Sequence, residues 1–193
     1  MTLITKSVKC SGEQSPSRGR LQIANLHDPE DGVLTLSHYT ACTFELKEGD
    51  FVLAEGRETH RTILKVRLDG GKTNNELSAY ISRSSCRTLG ARAGDEISLS
   101  SVRGVKKIDK IAVYALDTDV KNVSSDQSMF NILAPYLSKR SNICTGEQFI
   151  VSHTVPSIHF MVIEIEIEGA PAEYGIITAE TSIHCGGTYT EAA

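Results

Sequence analysis

The chain has 193 residues, 40% of them hydrophobic, enough for one large domain or two small ones with their own cores. A formal charge of −4, 6% aromatic residues and no tryptophan argue against a general nucleic-acid binder, because phosphate neutralisation and base stacking are both poorly supplied. The five cysteines, Cys10, Cys42, Cys86, Cys144 and Cys185, stand far apart without a C-x-x-C pair, as free thiols of a reducing compartment do. No stretch resembles a signal peptide or reaches the roughly 18 apolar residues of a membrane span, so a soluble cytoplasmic or nuclear protein is expected.

Residues 1–19 are polar and lack apolar periodicity, and a disordered tail is expected there. From Arg20 to Val102 short β-like runs, LQIANL, GVLTLS, DFVLAEG, RTILKVRL and DEISLSSV, are divided by turn residues, with short helices expected around HYTACTFEL and YISRSSCRTL. Phe44 precedes Gly49-Asp50 by five residues, and Leu89 precedes Gly94-Asp95 by the same five. A helix end, a tight turn and a strand used twice predict two similar halves closing one small barrel.

Between two of these runs lies DGGKTNNE, from Asp69 to Glu76, which looks like the end of a phosphate-binding loop. A P-loop needs a first glycine five positions before its second, since both let the backbone wrap the phosphates. Position 66 holds Val66, a β-branched strand residue, so Asp69-Gly70-Gly71 is read as a polar hairpin turn.

Residues 103–110, with Arg103, Lys106, Lys107 and Lys110, are read as a solvated linker. A second unit is expected from Ile111 to Gly187. It opens with the strand IAVYAL, then a capping box at Ser124 and Gln127 ahead of a helix through Met129, Ile132 and Leu133, which Pro135 should end or kink. TGEQFIVSH repeats the Gly-acid turn into a strand. In VIEIEIEG, Ile163, Ile165 and Ile167 alternate with Glu164, Glu166 and Glu168, which predicts one buried face and one row of glutamates in water rather than a metal or acid–base site. YGIITAETSIHCGG should form two strands around Ala179-Glu180-Thr181, and residues 188–193 a loose end.

Catalytic patterns are missing from this reading. The six histidines include no i, i+4 pair of a zinc protease, and His153 and His159 bracket Pro156 in a turn. His184 and Cys185 are neighbours on a strand and point to opposite faces, so the histidine cannot activate the thiol. G-x-S-x-G is absent, and Asp117-Thr118-Asp119 lacks the glycine of an aspartic-protease loop.

RLQIANL, GVLTLS, LKEGDFVLAEG, GARAGDEISL, MFNILAPYL with its Pro135-Tyr136, and EYGIITAETSIHCGG, in this order and spacing, resemble the N-terminal domain of the valosin-containing-protein (transitional ER ATPase) family of AAA ATPases. The likeness runs over about residues 20 to 187. It implies a mainly β fold with short helices: a double-psi β-barrel at 20–102 and, after the 103–110 linker, a smaller four-stranded β-barrel at 111–187. It also implies a non-catalytic docking platform of a hexameric unfoldase acting on ubiquitinated clients, cytoplasmic and nuclear and peripheral to the ER. ATP and Mg²⁺ would belong to ATPase rings following this chain, with no cofactor in the chain itself.

Two partner surfaces follow from the resemblance. An inter-subdomain cleft for UBX domains and Arg-rich helical motifs would use Val33, Asp50 and Lys106. Lys47, Lys65, Arg67 and Lys107 stand where the family has apolar cleft residues, so weakened affinity for Arg-rich motifs is expected. The C-terminal barrel would hold an SHP-type peptide by β-addition through Phe130, Leu137, Tyr174, Ile176, His184 and Cys185. Arg92 matches a family arginine near the first ATPase ring. The alternatives are a free-standing double-psi barrel enzyme and a small-ligand-binding barrel.

Overall fold

The structure, a computed structural model, describes residues 18–24, 30–70, 77–120, 129–152 and 157–189. The first unit comprises β1 (Arg18–Ile23), β2 (Val33–Leu36), α1 (His38–Thr43), β3 (Phe51–Glu55), β4 (Arg61–Leu68), β5 (Ser78–Tyr80), α2 (Arg83–Thr88) and β6 (Glu96–Val102). Its six strands close a barrel in the order β1-β5-β2-β4-β3-β6, sealed where Leu21 of β1 faces Ile97 of β6. The β1–β5 and β2–β4 pairs are parallel, and the other four are antiparallel. Period-two alternation sends Leu21, Ile23, Leu34, Leu36, Val52, Ala54, Leu64, Val66, Ile97 and Leu99 into one core.

The doubled helix–turn–strand unit is present. Ser37 caps α1 by accepting the Thr40 N–H (3.0 Å), and Ser82 caps α2 by accepting the Ser85 N–H (3.1 Å). Asp50 then accepts the Lys47 N–H and Asp95 the Arg92 N–H, each at 2.8 Å. Gly49 and Gly94 before them sit at φ +85° and +90°, where a side chain is strained. A third copy of the turn has Gly146 at φ +78° and Glu147 accepting the Cys144 N–H at 3.1 Å.

The second unit holds β7 (Lys110–Leu116), α3 (Asp117–Val120), α4 (Met129–Leu137), β8 (Asn142–Cys144), β9 (Gln148–Val151), β10 (Ile158–Ile167), β11 (Ala170–Pro171), β12 (Tyr174–Ile176) and β13 (Ser182–Tyr189). Strands β11, β10, β7 and β13 form a sheet in that order, β9 joins β10, and β12 pairs with β8. Its core gathers Ile111, Val113, Leu133, Leu137, Phe149, Phe160, Val162 and Ile165.

Several expectations change. β1 begins at Arg18, within the stretch read as tail, and β13 runs through Tyr189, within the stretch read as a loose end. The 103–110 segment is docked rather than solvated: Ile108 is buried, its N–H donates to the Ile176 carbonyl (2.9 Å), and Lys107 bridges to Ile176. Ile163 is exposed, because a β-bulge between Val162 and Glu164 turns it out while Ile165 stays buried. The glutamates are not a free row: Glu166 takes the Lys110 ammonium (2.6 Å) and Glu168 that of Lys106 (2.7 Å). Pro135 lies inside α4, which ends two residues later at Leu137. Gly71-Lys72-Thr73, Ser124, Gln127, His153 and Pro156 lie outside the described residues.

The two units meet through buried polar bonds. Asn142 Nδ2 donates to the carbonyls of Ile63 (2.6 Å) and Gly32 (3.1 Å), and Thr62 Oγ1 donates to Glu147 Oε2 (3.2 Å). Gln148 N–H donates to Thr88 Oγ1 at 3.1 Å. These bonds tie Gly32, the β4 strand and the α2 helix of the barrel to β8, β9 and the turn between them in the second unit.

Candidate partner-binding surfaces

Phe130 and Leu137 come from the same face of α4, one near its start and one at its end. Leu137 is buried in the second core, whereas Phe130 is 48% exposed, a large apolar ring facing water. Together with Ala134, Ile177, Ser182 and Ile183 they line a groove of ≈ 530 Å³ between α4 and the start of β13. Among the described residues β13 pairs with β7 as its one strand neighbour and is the last strand of the sheet order, beside that groove.

The remaining residues expected at this surface are distributed differently. Cys185 packs on the second core, and burial pushes its thiol pKa up. His184 is on the solvent side, with Nε2 3.3 Å from Ser182 Oγ. The two neighbours do take opposite faces. Tyr174 and Ile176 sit on β12 against β8, outside the α4–β13 groove. Ser182 and Ile183 were not singled out from the sequence; the signal was Ile183, the apolar residue alternating with His184 on an edge strand.

The cleft residues are also spread out. Val33 is buried and pairs with Lys65 across β2 and β4. Asp50 spends one carboxylate oxygen on its own turn, and its carbonyl accepts the Val66 N–H (2.8 Å), which puts it beside Val33's partner strand. Lys106 instead reaches Glu168 in the second unit. Of the cations expected in the cleft, Arg67 pairs with Glu30.

Arg92 is exposed on the turn into β6. It lines a pocket of ≈ 640 Å³ with Arg83 and Arg87 of α2, floored by Ile23, Ile81, Cys86 and Ala91. Burial, and then the Asp95 charge, push the Cys86 thiol pKa up, so this thiol stays neutral.

No protein-family model matches the chain.

Proposed function

We propose that this chain is the adaptor- and client-recruiting N domain of a hexameric AAA unfoldase of the valosin-containing-protein type, without catalytic activity of its own. The observation that carries this reading is β13, the last strand of its sheet among the described residues, running beside the Phe130–Ile183 groove. An edge strand next to a groove that mixes apolar side chains with Ser and Thr hydroxyls suits an extended peptide, whose backbone adds to the sheet while one side chain fills the groove. The parallel β1–β5 and β2–β4 pairs and the repeated cap–helix–turn unit support a double-psi barrel. The β8–β12 ladder beside the larger sheet supports a second, smaller barrel.

In this role ATP and Mg²⁺ act in rings that follow the chain, and Arg92 lies on the side facing the first ring. Partners are SHP-motif and UBX-type adaptors that carry ubiquitinated clients, in the cytoplasm and nucleus and at the ER surface. Lys47, Lys65 and Lys107 disfavour Arg-rich helical motifs in the inter-subdomain cleft by like-charge repulsion.

Calorimetric titration of the chain with an SHP peptide, and separately with a UBX domain, tests the reading. Peptide binding with a weak UBX signal is expected. Silence from both would remove the adaptor role. Phe130→Ala and Tyr174→Ala, measured side by side, decide whether the peptide follows the α4–β13 groove or the β12 ladder.

A further inference from the structure

The pocket beside α2 concentrates positive charge on a chain whose formal charge is −4. Arg83 and Arg87 are one helical turn apart, so their side chains leave the same face of α2. Arg92 is brought to the same pocket by the turn that follows, where its own N–H is held by Asp95 and Gly94 takes φ +90°. Arg87 in the last turn suits the helix dipole, but Arg83 one turn earlier adds a like charge at i, i+4 that repels it and lowers helix stability.

The local carboxylates are already engaged. Asp95 accepts from Arg57 Nη2 (2.8 Å) as well as from the Arg92 backbone, and Arg57 is outside the pocket lining. Among the described residues the pocket is lined by no Asp or Glu, and Arg83, Arg87 and Arg92 make no side-chain ion pair within 4.0 Å, although the Arg92 charge also acts on Asp95. Ala24 and Ala93 leave the walls low, over the floor of Ile23, Ile81, Cys86 and Ala91.

We propose that the Arg83–Arg87–Arg92 pocket is a docking site for an acidic peptide segment of a partner protein, one carrying several Asp or Glu side chains around a small apolar residue. Guanidinium forks grip carboxylates in two-point contacts, and three of them around an apolar floor read an acidic run with a small hydrophobic centre. Nucleic acid fits poorly, since among the described residues the lining holds no aromatic ring for a base to stack on. The site stands on the pocket itself and is separate from the adaptor groove at β13; an acidic segment bound there takes up the Arg92 that the proposed function turns toward the first ring.

The test is fluorescence anisotropy of the full chain with a labelled peptide of alternating Glu and Ala, nine residues long, against the same peptide with Gln for Glu. Binding of the Glu peptide alone is expected, weakening as salt rises. Arg83→Gln, Arg87→Gln and Arg92→Gln should each lower affinity by about three- to five-fold, the range of exposed ion pairs, and the triple variant should abolish it. Arg103→Gln, an exposed arginine elsewhere, should change nothing. Thermal melts keep a folding defect from passing as lost binding. No Glu-peptide binding, or binding untouched in a folded triple variant, overturns the proposal. So does a phosphopeptide or a vesicle of anionic lipid binding at these arginines while the Glu peptide stays silent.

Discussion

Arg140 Nη2 donates to Glu147 Oε1 at 2.5 Å with both side chains sealed from water, 3% and 0% exposed. Glu147 uses its other oxygen to hold Thr62 of the barrel and the Cys144 N–H of its own turn. Burial opposes the guanidinium charge, but the Glu147 carboxylate, and after it that of Asp31, outweigh it and hold Arg140 ionised. One carboxylate therefore closes a turn, neutralises a buried cation and joins the two units.

Removing that charge should be costly. Glu147→Gln leaves Arg140 as a buried cation without its hydrogen-bonded counter-ion, and a loss of about 3–5 kcal/mol is expected in urea unfolding. The double variant Arg140→Met/Glu147→Met should lose less than the two single changes added together, because it removes the charges as a pair. Full additivity would show that the two side chains are not coupled.

Phe130 should behave in the opposite way. Its ring is half-exposed, so Phe130→Ala should change unfolding free energy by no more than about 1 kcal/mol. SHP-peptide affinity should fall at least about ten-fold, the loss of one anchor side chain. Unchanged affinity in a stable variant would take the peptide away from the α4–β13 groove.

Asp119 links α3 to β10 by accepting from the His159 backbone N–H (2.8 Å), and the His159 ring nitrogen lies 2.7 Å away. Burial alone would raise its pKa, but these His159 interactions outweigh it and hold the carboxylate below its ordinary value. A depressed carboxylate contributes stability above its unfolded pKa, about 3.9, and loses it as pH falls through the folded value. Asp119→Asn should therefore be less stable than the wild type at neutral pH, and the two should converge as pH falls below the depressed folded value. A gap of constant size across that range would sever the link.

Much of the barrel was legible because its signals are local. Gly49-Asp50 and Gly94-Asp95 announce a turn chemistry that needs nothing from the rest of the chain, and the strands between them alternate cleanly. The short strand β5 was not legible: Ser78–Tyr80 is held by β1 and β2, its partners on either side, while the following SRSSCRT reads as helix. Ile163 failed for the same reason in miniature, since a bulge is a property of the β10–β7 pair and not of the alternating pattern. Lys106 and Lys110 read as linker charges because their glutamates lie 62 and 56 positions away. The arginine pocket was half legible: Arg83 and Arg87 share a helical face in the sequence, but only the fold brings Arg92 to them.

Gly175 is where the docked 103–110 segment meets β12. A Cβ there would lie 2.5 Å from Ile108 Cγ1 and 3.0 Å from the Lys106 carbonyl oxygen. That carbonyl cannot retreat freely, since it accepts the Ile176 N–H at 2.9 Å. Gly175→Ala should cost about 1–3 kcal/mol in thermal or urea unfolding, by overpacking. A variant as stable as the wild type would mean that 103–110 is not seated on β12.

The thiols should react in an order set by burial. Cys42 is exposed on α1. Cys86 and Cys185 are half-buried, with their pKa values raised by burial. Cys144 is 1% exposed, and burial with the nearby Glu147 charge pushes it up to about 12. Since only the thiolate attacks, a thiol of that pKa is about one part in 10⁴ ionised at pH 8, before access is considered. With a disulfide reagent under native conditions Cys42 should be modified before Cys86 and Cys185, and Cys144 only when the chain unfolds. Native modification of Cys144 at a rate near that of Cys42 would mean that the Cys144–Glu147 turn opens, and with it the junction that Glu147 holds to Thr62.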